Sequence, residues 1–225
     1  MPTHTMTART LQAHAAPATS RPAHATGEAI ELMGAVMPFA RNGEIYGENE
    51  PAEYLYKVVS GAVRTYRVLS DGRRQIGAFY LPGDVFGIEV GDHHTFSAES
   101  IADSKVMLIK RSSLLALAAR SADVSRQLWT MAATELQRAQ DHTMLLIKTA
   151  QERVAGFLLE MAKRAPRANA VELPMSRQDI ADYLGLTIET VSRTLTQLEN
   201  SAAIEVPTSR RIVLRNQAAL NRLNG

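Results

Sequence analysis

Glu189, Ser192, Arg193 and Thr196 are spaced by three, four and seven residues, so on a helix their side chains share one face. Their chemistry suits the edges of bases in a DNA major groove. The Arg193 guanidinium can donate two N–H bonds to O6 and N7 of a guanine. The Glu189 carboxylate can accept from the N4 amine of cytosine, and the small Ser192 hydroxyl allows close approach. The competing reading is a plain surface ion pair between Glu189 and Arg193, worth about 0.2–0.5 kcal/mol.

The surrounding residues decide between the two. Pro174 ends the preceding segment, and Ser176 is a good N-cap with Asp179 in the first turn. Ile180, Ala181 and Leu184 form the buried face of a short helix, which Gly185 closes in a left-handed conformation. Thr187 caps a second helix, with Glu189 and Thr190 in its first turn and Val191, Leu195 and Leu198 on its apolar face. Two short helices joined by a glycine-containing turn make a helix-turn-helix, and small Ala181 lets them cross closely. Ile204–Val206 and Arg211–Leu214 then read as the strands of a wing, with Pro207, Thr208, Ser209 and Arg210 between them. Arg210 and Arg211 become candidates for phosphate contact, which sets register without reading sequence.

Upstream of this unit lies one long helical stretch, from about Ser121 to Lys148. Val124, Leu128, Met131, Ala132, Leu136 and Ala139 recur at steps of three and four, placing them on one face. That face either packs on its own β-domain or forms a seam between two subunits. Length favours the seam, because about 28 residues span roughly 42 Å. Thr149-Ala150-Gln151-Glu152 has the form of a capping box and restarts the helical direction, which puts a domain boundary near Thr149.

Between Gly34 and Ile109 glycines recur among short β-prone runs: Tyr54–Val59, Ala62–Val68, Gln75–Tyr80 and Val106–Ile109. Ser70-Asp71-Gly72 reads as a hairpin turn, and the region as a sandwich or barrel. The resulting division is a disordered, acid-poor tail over 1–27, a β-domain over 28–120, a dimerisation helix over 121–148 and a winged helix-turn-helix over 149–225. The fold class is α+β.

Composition adds exclusions. The chain has no cysteine, so disulfides, cysteine-ligated metals and thiol nucleophiles are ruled out. No run of 18 apolar residues occurs and no secretory pattern opens the chain, which points to a cytoplasmic protein without a membrane partner. Net charge is +2, and residues 149–225 carry two more basic than acidic residues. That polarity suits a DNA-binding C-terminal part, though the excess is small.

The stretch Met175–Leu195, the glycine-rich β-region and the long helix together resemble the Crp/Fnr superfamily of bacterial regulators over residues 30–220. The resemblance implies a docking geometry in which the two recognition helices of a dimer lie one DNA turn apart. Within the superfamily, Glu189, Ser192 and Arg193 are similar to the FixK-like branch. The cyclic-AMP receptor branch has Gly where Ser192 stands and Arg where Ile188 stands. The resemblance implies an N-terminal cyclic-nucleotide-binding-like β-roll, a homodimer, a TTGA…TCAA palindrome in double-stranded DNA, and activation through RNA polymerase. It implies phosphate contacts at Ser176, Arg177, Thr187 and Thr190, and control in oxygen limitation or nitrogen fixation.

Departures from the superfamily are equally informative. Without cysteine the chain cannot hold the iron–sulfur cluster of the Fnr branch. Residues 90–104 contain no arginine to meet a cyclic phosphate, and a buried phosphate without a cation is costly, so no cofactor is expected. Asp92, His93 and His94 invite a metal reading, but adjacent strand residues point to opposite faces, and a surface loop is the expectation. The rivals are a small-molecule-gated regulator with a ligand in the β-roll, and a β-barrel enzyme with an accessory DNA module. The enzyme reading needs a metal or acid–base cluster that residues 34–110 do not otherwise supply, so the expectation is no enzyme.

Overall fold

The computed structural model describes residues 33–164 and 170–224; the tail reading for 1–27 lies outside them. The described residues form eleven strands and six helices. Strands β1 (Ala35–Phe39), β8 (Ser104–Lys110), β3 (Tyr54–Ser60) and β6 (Val85–Phe86) make one sheet in that order. Strands β2 (Glu44–Tyr46), β7 (Ser97–Ser100), β4 (Val63–Val68) and β5 (Arg74–Tyr80) make a second. Every pairing is antiparallel. Alternation sends Tyr56, Val58, Val63, Tyr80, Phe86, Ala98 and Val106 between the sheets, where they are buried together. The Asp71–Gly72 turn joins β4 to β5, and Gly72 takes a positive φ of 82° there.

His94 corrects the surface-loop expectation. It is 1% exposed and its ring stacks on Tyr46 at 3.6 Å, whereas Asp92 and His93 are exposed. Among the described residues, no group of three or more His, Cys, Asp and Glu could hold a metal ion.

Helix α1 (Arg111–Ala118) leads into the long helix α2 (Ala122–Leu146), whose N-cap Ser121 accepts from the Val124 amide. The sequence-read face of α2 divides here. Val124, at 1% exposed, is buried with Leu55, Ile109 and Leu114, and Leu128 and Met131 pack on the same cluster. Leu55 and Ile109 belong to β-roll strands, and Leu114 to α1 of the same chain. The seam expectation is therefore corrected for Val124, which has no surface left for a partner. Ala132, Leu136 and Ala139 stay exposed.

Helix α3 (Ala150–Arg164) starts at the expected capping box: Thr149 N donates to Glu152 Oε2 at 2.7 Å and Glu152 N to Thr149 Oγ1 at 3.4 Å. Its apolar face, with Phe157, Leu158 and Met161, joins α4 (Arg177–Leu184), α5 (Ile188–Asn200) and α6 (Gln217–Asn224) in one core. That core also contains Ala62, Ile76 and Phe79 of the β-roll, so apolar packing continues across the expected boundary near Thr149. Strands β9 (Ala170–Glu172), β11 (Arg211–Leu214) and β10 (Ile204–Thr208) form the wing sheet.

No described helix is long and apolar enough to cross a membrane.

Candidate nucleic-acid interface

The helix pair is built by local chemistry. Ser176 Oγ accepts from Asp179 N at 3.1 Å, and Asp179 Oδ2 accepts from Ser176 N at 2.9 Å, closing a capping box at the start of α4. Gly185 ends α4 at φ 61°, a left-handed geometry that a side chain would strain. Arg153 of α3 donates to the Leu184 carbonyl at 2.8 Å and to the Lys148 carbonyl at 2.8 Å. One guanidinium thus ties the end of α4 to the segment just after α2. Thr187 caps α5 by accepting from Thr190 N at 3.2 Å, and the two threonine hydroxyls lie 3.0 Å apart. Val191, Leu195 and Leu198 are buried, which fixes which face of α5 looks outward.

That outward face carries Glu189, Arg193 and Thr196, all exposed, with Ser192 half-buried between them. Among the described residues neither the Glu189 nor the Arg193 side chain makes a hydrogen bond or ion pair. The Glu189–Arg193 ion pair weighed above is absent, and both charged ends are free. Ser192 is engaged: Arg177 of α4 donates to its hydroxyl at 3.3 Å. The sequence-read phosphate candidates Ser176, Thr187 and Thr190 sit at helix N-termini, where backbone N–H groups favour anions.

The two wing arginines behave differently. Arg210 turns inward and donates to the Pro174 carbonyl at 2.5 Å. Arg211 is exposed and lies 3.6 Å from Glu172, a loose pair on an open surface. Arg210 is thus engaged within its own chain, and Arg211 is the more available of the two.

Along α2 an apolar stripe faces solvent. Trp129 is 76% exposed, Leu136 60%, Met144 57% and Ile147 74%. Their spacing of seven, eight and three residues keeps them on one side, flanked by exposed Ala132, Ala133 and Ala139. The single stripe read from the sequence does not include Trp129, Met144 and Ile147. The signal that marks them is a second apolar stripe, offset from the one that contains Val124.

A cavity lies between the β-roll, α2 and α3, lined by Tyr46, Glu89, Glu135, Arg138, Glu160 and Arg164 among others. Its cations are already paired. Arg138 donates to Glu135 Oε1 at 2.8 Å and to Asp84, and Arg164 donates to Asp84 and to the Phe79 carbonyl at 3.0 Å. Burial pushes the Glu135 and Glu160 carboxyls above their usual range.

Two protein families match this chain: a cyclic nucleotide-binding domain over residues 36–121 and a Crp-like helix-turn-helix domain over residues 152–223. The chain is 50% identical over 216 residues to the nitrogen fixation regulation protein FixK of Azorhizobium caulinodans, covering 93% of this chain and 86% of that one. It is 42% identical over 181 residues to FixK of Rhizobium meliloti, covering 80% and 82%. The solved structure of FixK2 from Bradyrhizobium japonicum matches with a TM-score of 0.82 and 55% identity, covering 85% of this chain and 98% of that one. The chain belongs to the FixK branch of the Crp/Fnr superfamily. It is a DNA-binding transcription regulator.

The nucleotide-binding family name raises the question of fit. In this FixK-branch chain the cavity presents three carboxylates, and Arg138 and Arg164 are both committed to Asp84. A cyclic phosphate would face acidic walls with no free guanidinium, so these residues do not fit a cyclic nucleotide.

Proposed function

We propose that two copies of this regulator pair along the exposed stripe of α2 and present two α5 helices to successive major grooves of a TTGA…TCAA palindrome. The observation that carries this reading is the pair of free charged ends, Glu189 and Arg193, on the solvent face of a helix whose other face is buried. Arg193 reads the guanine of each half-site, Glu189 a cytosine amine, and Ser192 permits the approach. Phosphate contacts from Ser176, Arg177, Thr187, Thr190 and Arg211 supply register and much of the affinity, so binding falls steeply with salt.

The dimer assignment rests on the stripe from Trp129 to Ile147, four large apolar side chains that are each more than half exposed on one side of the helix. The α2 helix, 25 residues long, spans about 37 Å, comparable to the separation of two half-sites one turn apart. The regulator serves nitrogen-fixation control, as the names of its FixK relatives suggest; on the same proposal it acts in the cytoplasm, under oxygen limitation, and activates transcription by touching RNA polymerase. Binding-site selection from random duplexes with purified protein tests the whole reading. A palindrome of TTGA half-sites is expected; enrichment of an unrelated or non-palindromic sequence would overturn it.

A further inference from the structure

The cap of the first helix is shared with another part of the molecule. While Asp179 Oδ2 closes the capping box, its Oδ1 accepts from Arg64 of β4 at 2.7 Å and from Arg74 of β5 at 2.7 Å. Arg64 also donates to Glu99 of β7 at 2.9 Å, and Arg74 to Asp182 of α4 at 2.8 Å. Gln75 adds a bond to the Tyr183 carbonyl at 3.3 Å. The Asp179 side chain is 5% exposed and that of Arg64 10%, so this is a buried ionic cluster rather than a surface pair.

Burying Arg64 and Asp179, with Glu99, Arg74 and Asp182 half-buried around them, is an expensive way to gain stability, and apolar residues of the same size would do it better. What such a cluster supplies is a fixed geometry. A guanidinium is planar and rigid, and two of them converging on one carboxylate oxygen leave α4 little freedom to rotate on the β4–β5 sheet. Helix α5 is packed on α4 through the Gly185 turn, so its orientation follows. The base-reading face remains open in this arrangement. Leu69 and Arg73 of the β4–β5 hairpin border a groove together with Ile188 and Glu189, and no hydrogen bond or ion pair joins the hairpin to Glu189. A contact that fixes the helix pair and leaves its reading face free suits a positioning device better than a mask.

We infer that Arg64 and Arg74 are positioning residues for DNA recognition: through Asp179 they fix the angle of α5 relative to the β-roll and its dimer helix, and so set the half-site spacing that the dimer accepts. The inference rests on the reading of α5 as the base-reading helix.

Spacing is the quantity to measure. One base pair more or less between half-sites shifts them by about 3.4 Å and turns them by about 35°. A dimer with rigidly held helices rejects such sites; one with loosened helices tolerates them. The test measures dissociation constants of the full-length protein for palindromes with the selected spacer and with one base pair added or removed. Wild type is compared with R64M and R74Q. Each variant leaves Asp179 one cation, so the cap carboxylate is never buried alone. D182N, which weakens the hold of Arg74 on α4 while keeping an amide oxygen for Gln178, serves if either variant melts below the assay temperature.

The expected result is an affinity for the selected spacer lowered about tenfold, as follows if only about a tenth of molecules hold the competent angle. The preference over the two altered spacers should shrink by a similar factor. Unchanged spacer preference would overturn the inference, and so would tighter binding, which would make the cluster a mask. If wild type itself selects no palindrome, the functional reading fails instead, and the two failures are told apart.

Discussion

Arg177 of α4 reaches across the helix pair and donates to the hydroxyl of Ser192 on α5 at 3.3 Å. One guanidinium on the first helix therefore touches the middle of the reading face. Arg177 has two possible duties, holding Ser192 and neutralising a phosphate, and they leave different traces. With the phosphate role, R177A weakens binding to all sequences about equally and reduces the salt slope by about 1. A changed base preference with an unchanged slope would assign Arg177 to Ser192 alone. Titrations at several salt concentrations separate the two.

The wing gives a second contrast. Arg211 is exposed, so R211A should flatten the salt dependence of DNA binding without lowering the melting temperature. Arg210 holds the Pro174 carbonyl, so R210A should cost about 1–2 kcal/mol of stability, read by denaturant unfolding. If R210A alone flattened the salt slope and left stability unchanged, the inward placement of its side chain would be the wrong guide to its role.

Helix α2 separates folding from association. A charge placed on the exposed stripe, as in L136E, should shift the protein from dimer to monomer in sedimentation while leaving each subunit folded. V124A should do the reverse: about 1–3 kcal/mol less stable, with the oligomeric state kept. Dissociation by V124A with no loss of subunit stability would contradict the division of the helix into two faces.

His142 makes stability depend on pH. Its ring stacks on Tyr183 at 4.0 Å with Nε2 2.7 Å from the Tyr183 carbonyl, and burial holds its pKa below the usual 6.5, with the carbonyl opposing in part. The folded chain thus binds fewer protons there than the unfolded chain. The stabilisation is complete above about pH 6.5 and is lost as pH falls through the lower folded value. Melting temperatures of wild type and H142Q between about pH 5 and 8 should show a shallower fall for the variant. Comparing the two cancels the buried carboxyls Glu135 and Glu160, whose raised values act in the opposite direction. Parallel curves would remove His142 as the source.

The helix pair is legible in the sequence because its signals are local. Ser176, Asp179, Gly185 and Thr187 specify caps and a turn within a dozen residues, and the structure places each where those rules put it. Strands β3, β4, β5 and β8 are legible for the same reason, as β-prone runs between turn residues. Strand β9 is not, because three residues gain their meaning only by pairing with β11 some forty positions later. Periodicity shows that α2 has an apolar face but not whose surface it meets, and the structure divides that face into two stripes. The Arg64–Asp179 contact joins residues 115 apart, and no local pattern marks either as buried. His94 reads as loop because burial of an imidazole depends on Tyr46 from a distant strand.

The most direct measurement titrates wild type and R193A against the palindrome and against a duplex with the half-site guanines replaced. Wild type should prefer the guanine-containing site by about 1–3 kcal/mol per half-site, and R193A should bind both duplexes alike. Equal discrimination by the two proteins would mean that Arg193 does not read the base, and the recognition face would have to be sought elsewhere.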